Sequence, residues 1–192
     1  MYATGAQLTE IHMATEHLYL TGFRGTGKTS VGAVLAKKLG RSIIDLDQVI
    51  EANAGKSIRE IFDEGGEPLF RKLELEALTV ASENEPSVIS LGGGAILRAE
   101  NREILSQTGC CFWLDADAET IAERINNDST SANRRPALTS LEQKEEIRQL
   151  LAKRRDLYDQ SSDHRIETNG RSIDEVANEI LELLPSLKQS PS

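Results

Sequence analysis

The sequence is poor in cysteine and lacks long apolar runs. Its 192 residues include two cysteines, the neighbours Cys110 and Cys111. Adjacent residues of a strand point to opposite faces, and a bond between them would be strained, so we expect two buried free thiols, as in a reducing cytoplasm. No apolar run approaches the roughly 18 residues of a membrane span. We therefore expect a cytoplasmic protein that makes no use of a membrane.

Basic residues are also scarce. The chain has 22 Lys and Arg against 31 Asp and Glu, a formal net charge of −9. Because nucleic-acid binding needs a concentrated basic face, this acidity argues against DNA or RNA as a partner. Residues 1–16 contain no Lys or Arg, which argues against a secretory signal. We expect a monomer with one domain over residues 17–185, between disordered tails at 1–16 and 186–192.

Short apolar runs alternate with helical patterns along the chain. The strand candidates are His17–Thr21, Ser42–Asp45, Ser87–Leu91, Cys110–Leu114 and His164–Glu167. The helical patterns cover Lys28–Leu39, Ile58–Phe62, Glu67–Ser82, Asn101–Ser106, Glu119–Asn126, Leu141–Tyr158 and Ile173–Leu184. This alternation predicts an α/β domain with a five-stranded parallel sheet flanked by helices. The polar run Asn126–Asn133 predicts a mobile loop.

The strongest motif is the segment Gly22–Thr29, a complete G-x-x-x-x-G-K-[ST] match. It follows a strand-like run and opens a helical pattern, the context in which glycine-rich backbone cradles phosphate groups. Lys28 would reach the β- and γ-phosphates, and the Thr29 hydroxyl would ligate Mg²⁺. The alternative is a glycine-rich turn with a chance lysine.

The aspartate that completes a magnesium site has two candidates. By composition alone, Asp115 at the end of an apolar strand is the better one. Its rival is the pair Asp45 and Asp47, two carboxylates that would share one side of an extended chain. One of the pair could serve the metal while the other accepts a proton from a hydroxyl. The alternative for this pair is a helix N-cap.

Two arginines lie on inward faces of predicted helices. Arg154 occupies a gap in an apolar stripe that includes Ile147 and Tyr158, so its guanidinium must pair with an anion, either a protein carboxylate or a ligand carboxylate. Arg71 lies three residues before Glu74, which shares an apolar face and can orient it. The plainer interpretation of Arg71 is a surface ion pair with Glu67.

Two further segments point to a ligand. Three glycines, Gly92–Gly94, follow the third strand at the sheet edge where α/β proteins bind ligands, although a flexible turn is the alternative. The pair Arg134 and Arg135 follows the polar loop and fits a lid that carries a cation over a transferring phosphoryl group; a solvated basic pair is the alternative.

Together these motifs resemble the shikimate kinase family, within the nucleoside-monophosphate-kinase-like P-loop group. The resemblance covers about residues 17–184 and rests on the order of Gly22–Thr29, Asp45-x-Asp47, Phe70-Arg71-x-x-Glu74, Leu91–Ala95, Arg135-Pro136 and Lys153-Arg154-x-x-Leu157-Tyr158. It implies a three-layer P-loop NTPase fold with a mobile lid at about 126–138. It also implies ATP- and Mg²⁺-dependent phosphorylation of the 3-hydroxyl of shikimate, giving shikimate 3-phosphate and ADP in chorismate and aromatic amino-acid biosynthesis.

The resemblance implies a role for each matching residue. Lys28, Asp47 and Arg135 would be catalytic, with Arg135 as the lid cation. ATP would be bound by Gly25, Thr26, Gly27, Lys28, Thr29, Ser30 and Arg135, and shikimate by Asp47, Arg71, Gly93, Gly94 and Arg154. Thr29 and Asp45 would hold the metal, Asp45 directly or through water, which makes Asp115 a strand end only.

Two rival functions stay open at this point. A related kinase of another polyol acid, such as gluconate, is less favoured because Arg71, Arg154 and the three glycines match the shikimate pattern. A kinase-like binding module without catalysis is disfavoured because the chemical groups are intact at Lys28, Thr29, Asp45, Asp47 and Arg135.

Overall fold

The computed structural model describes residues 16–127 and 140–184. Within these ranges five parallel strands form one sheet in the order β2-β3-β1-β4-β5. The strands are β1 (His17–Thr21), β2 (Ile43–Asp45), β3 (Val88–Ser90), β4 (Gly109–Asp115) and β5 (His164–Glu167). The helices are α1 (Lys28–Leu39), α2 (Leu46–Ala54), α3 (Ile58–Ser82), α4 (Ala99–Thr108), α5 (Ala118–Asn127), α6 (Ser140–Gln160) and α7 (Ile173–Leu183), with a 3₁₀ turn at Ala95–Leu97. The predicted five-stranded parallel α/β fold is confirmed.

Helices cover both faces of the sheet, so the domain has three layers. On one face, α1 and α7 pack on the sheet through side chains such as Leu35 and Val176. On the other face, α2, α3, α4 and the end of α6 bury a second cluster that includes Leu46, Leu78 and Tyr158. A third, smaller cluster joins Phe23 of the β1–α1 loop to α5 and α6. The loop after β1 is therefore anchored to the helices that precede and follow residues 128–139.

The alternation of side chains along β4 separates the two cysteines. Cys110 faces the layer of α1 and α7, whereas Cys111 faces the opposite layer, together with Trp113. Both thiols are free and buried, as the sequence predicts. Burial raises the pKa of each thiol far above its usual range, so neither is a nucleophile at neutral pH.

Some element boundaries differ from the sequence prediction. Helix α2 is absent from the predicted set, because it begins at Leu46, directly after β2, with no intervening loop. The two helices predicted at 58–62 and 67–82 are halves of α3, which is interrupted at Gly66 by a backbone conformation (φ 65°, ψ −163°) that no helix contains. Asn126 and Asn127 end α5 and do not start the predicted loop.

Several predicted segments lie outside the described residues. They are the lid from residue 128 onward with Arg134 and Arg135, and the tails, of which only Glu16 is described. The Glu16 carbonyl oxygen accepts a hydrogen bond from Arg41 at 2.9 Å. In the described part of the chain, no helix has the length and apolar character needed to cross a membrane.

The buried His17 ring, at the start of β1, links three elements and generates a pH prediction. Its Nδ1 accepts a hydrogen bond from the Ser87 N–H at 3.1 Å, and its Nε2 lies 3.2 Å from the Ser82 carbonyl oxygen. Burial, helped by Arg41, lowers the pKa of His17 below 6.5. The unfolded chain therefore binds this proton more readily, so the stability that neutral His17 contributes is lost as the pH falls below about 6.5.

We predict that the free energy of unfolding falls more steeply between about pH 7.5 and pH 5.5 in the wild type than in His17→Gln, which cannot titrate. Urea unfolding over this pH range measures the difference. Parallel pH profiles for the two proteins would contradict the prediction.

Candidate active site

The loop between β1 and α1 folds around its own lysine. Lys28 begins α1, and its Nζ donates hydrogen bonds to the carbonyl oxygens of Gly22 at 2.8 Å and Phe23 at 2.9 Å. The Thr26 hydroxyl donates to the same Phe23 carbonyl at 2.8 Å. The loop is thus a closed cradle with a cation at the N-terminus of a helix, an arrangement that binds anions.

Burial gives Lys28 an unusual protonation equilibrium. It lowers the pKa of Lys28 to about 8, while the nearby carboxylates of Asp47 and Asp45 oppose the shift. The first turn of α1 carries no acidic residue. A buried ammonium is stabilised by added negative charge, so the cradle favours a polyanion. The remaining predicted cradle residues, Gly25, Gly27, Thr29 and Ser30, belong to the same loop and first turn.

Asp45 joins the end of β2 to the cradle. Its Oδ2 accepts a hydrogen bond from the Thr29 hydroxyl at 2.7 Å, and its Oδ1 accepts from the backbone N–H groups of Asp47 at 3.1 Å and Gln48 at 3.4 Å. Asp45 is therefore the N-cap of α2, as one of the two sequence interpretations has it, and its other carboxylate oxygen lies beside Thr29. Its role at a metal stays a prediction. A hydroxyl and a carboxylate at this distance are oxygen donors that suit Mg²⁺, which usually keeps several waters and binds phosphate oxygens as well. Among the described residues no group of three His, Cys, Asp or Glu forms a metal cage.

Asp47 occupies a different place from the one predicted. The prediction that Asp45 and Asp47 share one side of an extended chain is wrong, because Asp47 lies in the first turn of α2. The helix turns the carboxylate toward the glycine segment after β3. Asp47 Oδ1 lies 3.0 Å from the point where a Cβ on Gly92 would stand.

A buried ion pair lies against the same glycine segment. Arg71 Nη1 donates to Glu74 Oε2 at 2.8 Å, and its Nη2 donates to Glu67 Oε1 at 3.0 Å. The Glu74 side chain is completely buried. Burial raises the pKa of Glu74, and Asp47 adds to the rise, while the Arg71 guanidinium opposes it. Both sequence alternatives for Arg71 are present, since it pairs outward with Glu67 and inward with Glu74.

Close approach of these side chains requires glycine at the end of β3. A Cβ on Gly94 would overlap the Arg71 guanidinium, and a Cβ on Gly92 would stand 2.8 Å from Glu74 Oε1 as well as 3.0 Å from Asp47 Oδ1. The three glycines thus serve as a bare backbone surface that Asp47, Glu74 and Arg71 surround. The glycines thus allow these side chains to pack closely on the backbone, while the predicted contact of Gly93 and Gly94 with a ligand stays a prediction.

Arg154 reaches the same segment from α6. It is half-buried, its Nη1 donates to the Gly93 carbonyl oxygen at 3.2 Å, and its guanidinium lies 5.8 Å from the centre of the Phe23 ring. No carboxylate of residues 16–127 or 142–184 forms an ion pair with Arg154. Of the two anions that the sequence left open, the described residues supply no protein carboxylate. Asp115, the rejected metal candidate, instead accepts a hydrogen bond from Arg165 at 2.8 Å.

The structure therefore brings most of the predicted site residues together. These residues belong to the loops at the carboxyl end of the sheet or to helices that face it. They are Lys28, Thr29, Asp45, Asp47, Arg71, Gly93, Gly94 and Arg154. Arg135 lies outside the described residues. Sequence reasoning did not single out Tyr158, whose hydroxyl donates to the Gly93 carbonyl oxygen at 2.6 Å, although the apolar stripe of α6 already placed it on the inward face.

A parallel sheet whose first strand leads into a lysine-bearing phosphate cradle, facing carboxylates and arginines around bare backbone, defines the class of P-loop phosphotransferases. A family model described as shikimate kinase matches residues 24–185. Among curated relatives, a shikimate kinase of Rhodopirellula baltica is 46% identical over 171 residues, covering 89% of this chain and 91% of that protein. A shikimate kinase of Symbiobacterium thermophilum is 42% identical over 168 residues, covering 88% of this chain and 95% of that protein.

Solved structures agree with these relatives. Shikimate kinase from Acinetobacter baumannii in complex with shikimate superimposes with a TM-score of 0.84 at 35% identity, covering 95% of this chain and 99% of that one. A gluconokinase from Sinorhizobium meliloti has a TM-score of 0.57 at 16% identity, covering 91% and 94%, and shares the fold alone. The chain belongs to the shikimate kinase family.

The crowding at Gly94 generates a stability prediction. The backbone of Gly94 (φ −119°, ψ 4°) is accessible to alanine, so in Gly94→Ala only the new methyl group meets Arg71. The methyl group should displace the guanidinium and separate it from Glu74. We expect the free energy of unfolding to fall by about 1–3 kcal/mol, the contribution of charge-assisted hydrogen bonds.

The matched control introduces Gly94→Ala into Glu74→Gln, where the neutral amide needs no counter-cation. In that background the methyl group should lower the free energy of unfolding clearly less. Urea unfolding of the wild type, the two single variants and the double variant measures the difference. An equal cost in both backgrounds would show that the ion pair is not the affected interaction.

Proposed function

We propose that this chain transfers the γ-phosphoryl group of ATP to the 3-hydroxyl of shikimate, giving shikimate 3-phosphate and ADP on the route to chorismate and the aromatic amino acids. The observation that carries the proposal is the meeting of the Lys28 cradle with Asp47, Arg71 and Arg154 around Gly92–Gly94. One side of this cleft suits a polyphosphate, and the other suits a small hydroxylated carboxylate. Relatives at 42–46% identity over most of the chain bear the name shikimate kinase.

On the nucleotide side, the cradle holds the phosphates of ATP through backbone N–H groups and Lys28. The residues proposed for this role are Gly25, Thr26, Gly27, Lys28, Thr29 and Ser30. Lys28 exchanges its bonds to the Gly22 and Phe23 carbonyl oxygens for bonds to phosphate oxygens. The added negative charge raises the pKa of Lys28 again, so the side chain stays cationic during transfer.

Thr29 and Asp45 are the residues that would hold Mg²⁺. When bound, the ion would neutralise negative charge on the phosphate groups. The protein's own part is to keep the hydroxyl and the carboxylate 2.7 Å apart, with Asp45 fixed by its capping bonds to α2.

On the substrate side, Asp47 orients the 3-hydroxyl and accepts its proton as the new O–P bond forms. Arg71 and Arg154 hold the anionic and hydroxyl groups of shikimate, with Arg154 binding the carboxylate through two parallel hydrogen bonds. The backbone of Gly93 and Gly94 forms the floor of the pocket. Arg135 is proposed as the cation that covers the transferring phosphoryl group, from a lid at about 126–138.

We further propose that the protein acts in the cytoplasm as a monomer, with one domain over residues 17–185. The free buried thiols support a reducing compartment. Size-exclusion chromatography with light scattering measures the oligomeric state.

The decisive experiment is ATP turnover with shikimate, with gluconate and with neither. We expect ADP and shikimate 3-phosphate in equal amounts with shikimate only. Turnover with gluconate would favour the related sugar-acid kinase, and no turnover with either would favour a binding module without catalysis. Lys28→Met is the control for contaminating kinases, and its kcat should fall by at least about a hundredfold because the phosphate charge is no longer neutralised.

Arg154 generates a second prediction. Arg154→Lys keeps the charge but loses the two-pronged hydrogen bonding, so the KM for shikimate should rise about ten- to a hundredfold, roughly 1.5–3 kcal/mol. The KM for ATP and the melting temperature should change little, because no described carboxylate depends on Arg154. A lower melting temperature with equal effects on both substrates would instead identify Arg154 as a structural residue.

A further inference from the structure

Tyr158 lies one helical turn after Arg154 on α6 and is completely buried. Its ring stacks on Trp113 of β4, with 5.4 Å between ring centres and an interplanar angle of 15°. Its hydroxyl donates a hydrogen bond to the Gly93 carbonyl oxygen at 2.6 Å. The ring is therefore held by the core while the hydroxyl faces the glycine segment.

The Gly93 carbonyl oxygen is shared by two donors of the same helix. Arg154 Nη1 also donates to it, at 3.2 Å. On its other side Gly93 lies against the phosphate cradle, since a Cβ there would stand 3.2 Å from the Arg24 backbone nitrogen and 3.4 Å from the Gly22 oxygen. Gly93 thus lies between α6 and the cradle, and its carbonyl oxygen faces α6.

The two donors differ in what else they can do. Arg154 has a long, charged side chain that is half-buried, and a substrate carboxylate would compete for its N–H groups. The Tyr158 hydroxyl is uncharged, and the stacking of its ring on Trp113 fixes its direction toward the Gly93 carbonyl oxygen. Burial raises the pKa of Tyr158 to about 12, although Arg154 opposes the shift, so the hydroxyl remains a donor at any physiological pH.

We propose that Tyr158 is a positioning residue for the substrate, whose hydroxyl holds the Gly93 carbonyl in place when Arg154 turns from that carbonyl to the substrate carboxylate. Without the hydroxyl there are two outcomes. Either Arg154 turns to the substrate carboxylate and the Gly93 carbonyl oxygen loses its last donor, or Arg154 stays on that carbonyl and does not bind the substrate. Either outcome weakens shikimate binding specifically. This inference rests on the proposed function, since it takes shikimate as the ligand of Arg154.

The test is Tyr158→Phe, which keeps the ring and its stacking on Trp113 and removes only the hydroxyl. We expect the KM for shikimate, and its Kd from calorimetry, to rise about five- to tenfold, the effect of one neutral hydrogen bond. The KM for ATP should stay within about twofold, because the hydroxyl that is removed donates to Gly93, on the substrate side, and not to a residue of the cradle.

Tyr19→Phe is a matched control for the loss of a buried tyrosine hydroxyl. Tyr19 is also completely buried, and its hydroxyl lies 2.7 Å from the hydroxyl of Thr108, which precedes the amino end of β4, whereas the glycine segment follows the carboxyl end of β3. Tyr19→Phe should lower the melting temperature to a similar extent while both KM values stay at wild-type levels. If the two variants lower the melting temperature equally and neither changes the KM for shikimate, Tyr158 is structural only and the proposal is wrong.

A double-mutant cycle with Arg154→Lys tests the coupling. If Tyr158 acts through the exchange of Arg154, the rise in shikimate Kd for the double variant should be clearly smaller than the product of the two single effects. If the two single effects on the shikimate Kd simply multiply in the double variant, the proposed exchange of Arg154 is wrong. The failure of the proposed function is distinguishable, because then the wild-type protein itself would neither bind nor phosphorylate shikimate.

Discussion

The active site depends on the pairing of β1 with β3. In the parallel register Leu20 lies beside Ser90, and the Leu91 N–H donates to the Leu20 carbonyl oxygen at 3.0 Å. Because both strands end at the same edge, the loop that follows β1 and the glycines that follow β3 leave the sheet side by side. This pairing brings the cradle with Lys28 beside the bare backbone of Gly92–Gly94. Every other group of the cleft is placed relative to that pair.

Charged groups that are buried around a cleft need hydrogen bonds or opposite charges to offset their loss of water, and the chain provides both. Backbone carbonyls hold the Lys28 ammonium, and Arg71 neutralises the fully buried Glu74. These arrangements keep the charged groups oriented without collapsing the cleft. Asp45 adds a third link, since a single carboxylate caps α2 and binds the Thr29 hydroxyl. The orientation of the reactive groups and the stability of the surrounding helices thus rest on the same interactions.

What the sequence reveals here depends on how local each signal is. The Lys28 cradle could be predicted from the sequence, because its residues are contiguous and the strand and helix that flank it have clear hydrophobic patterns. The direction of the Asp47 side chain could not be predicted, because it depends on whether a helix begins one residue before Asp47. No turn residue marks that start, since α2 follows β2 directly. Arg154 is recognisable as an inward cation from its stripe, but its contact with Gly93 joins residues 61 positions apart. Tyr158 looks like any other core aromatic until that same carbonyl is seen to bind its hydroxyl.

The stack of Trp113 on Tyr158 has an optical consequence. Trp113 is the single tryptophan of the chain, 2% exposed, and the guanidinium groups of Arg155 and Arg165 lie 5.7 Å and 4.9 Å from its ring centre. All indole emission from this protein therefore arises beside the tyrosine that contacts Gly93. A displacement of the end of α6 alters the surroundings of that one fluorophore. The chain thus carries a built-in spectroscopic probe, which follows the substrate side of the cleft in real time without a label.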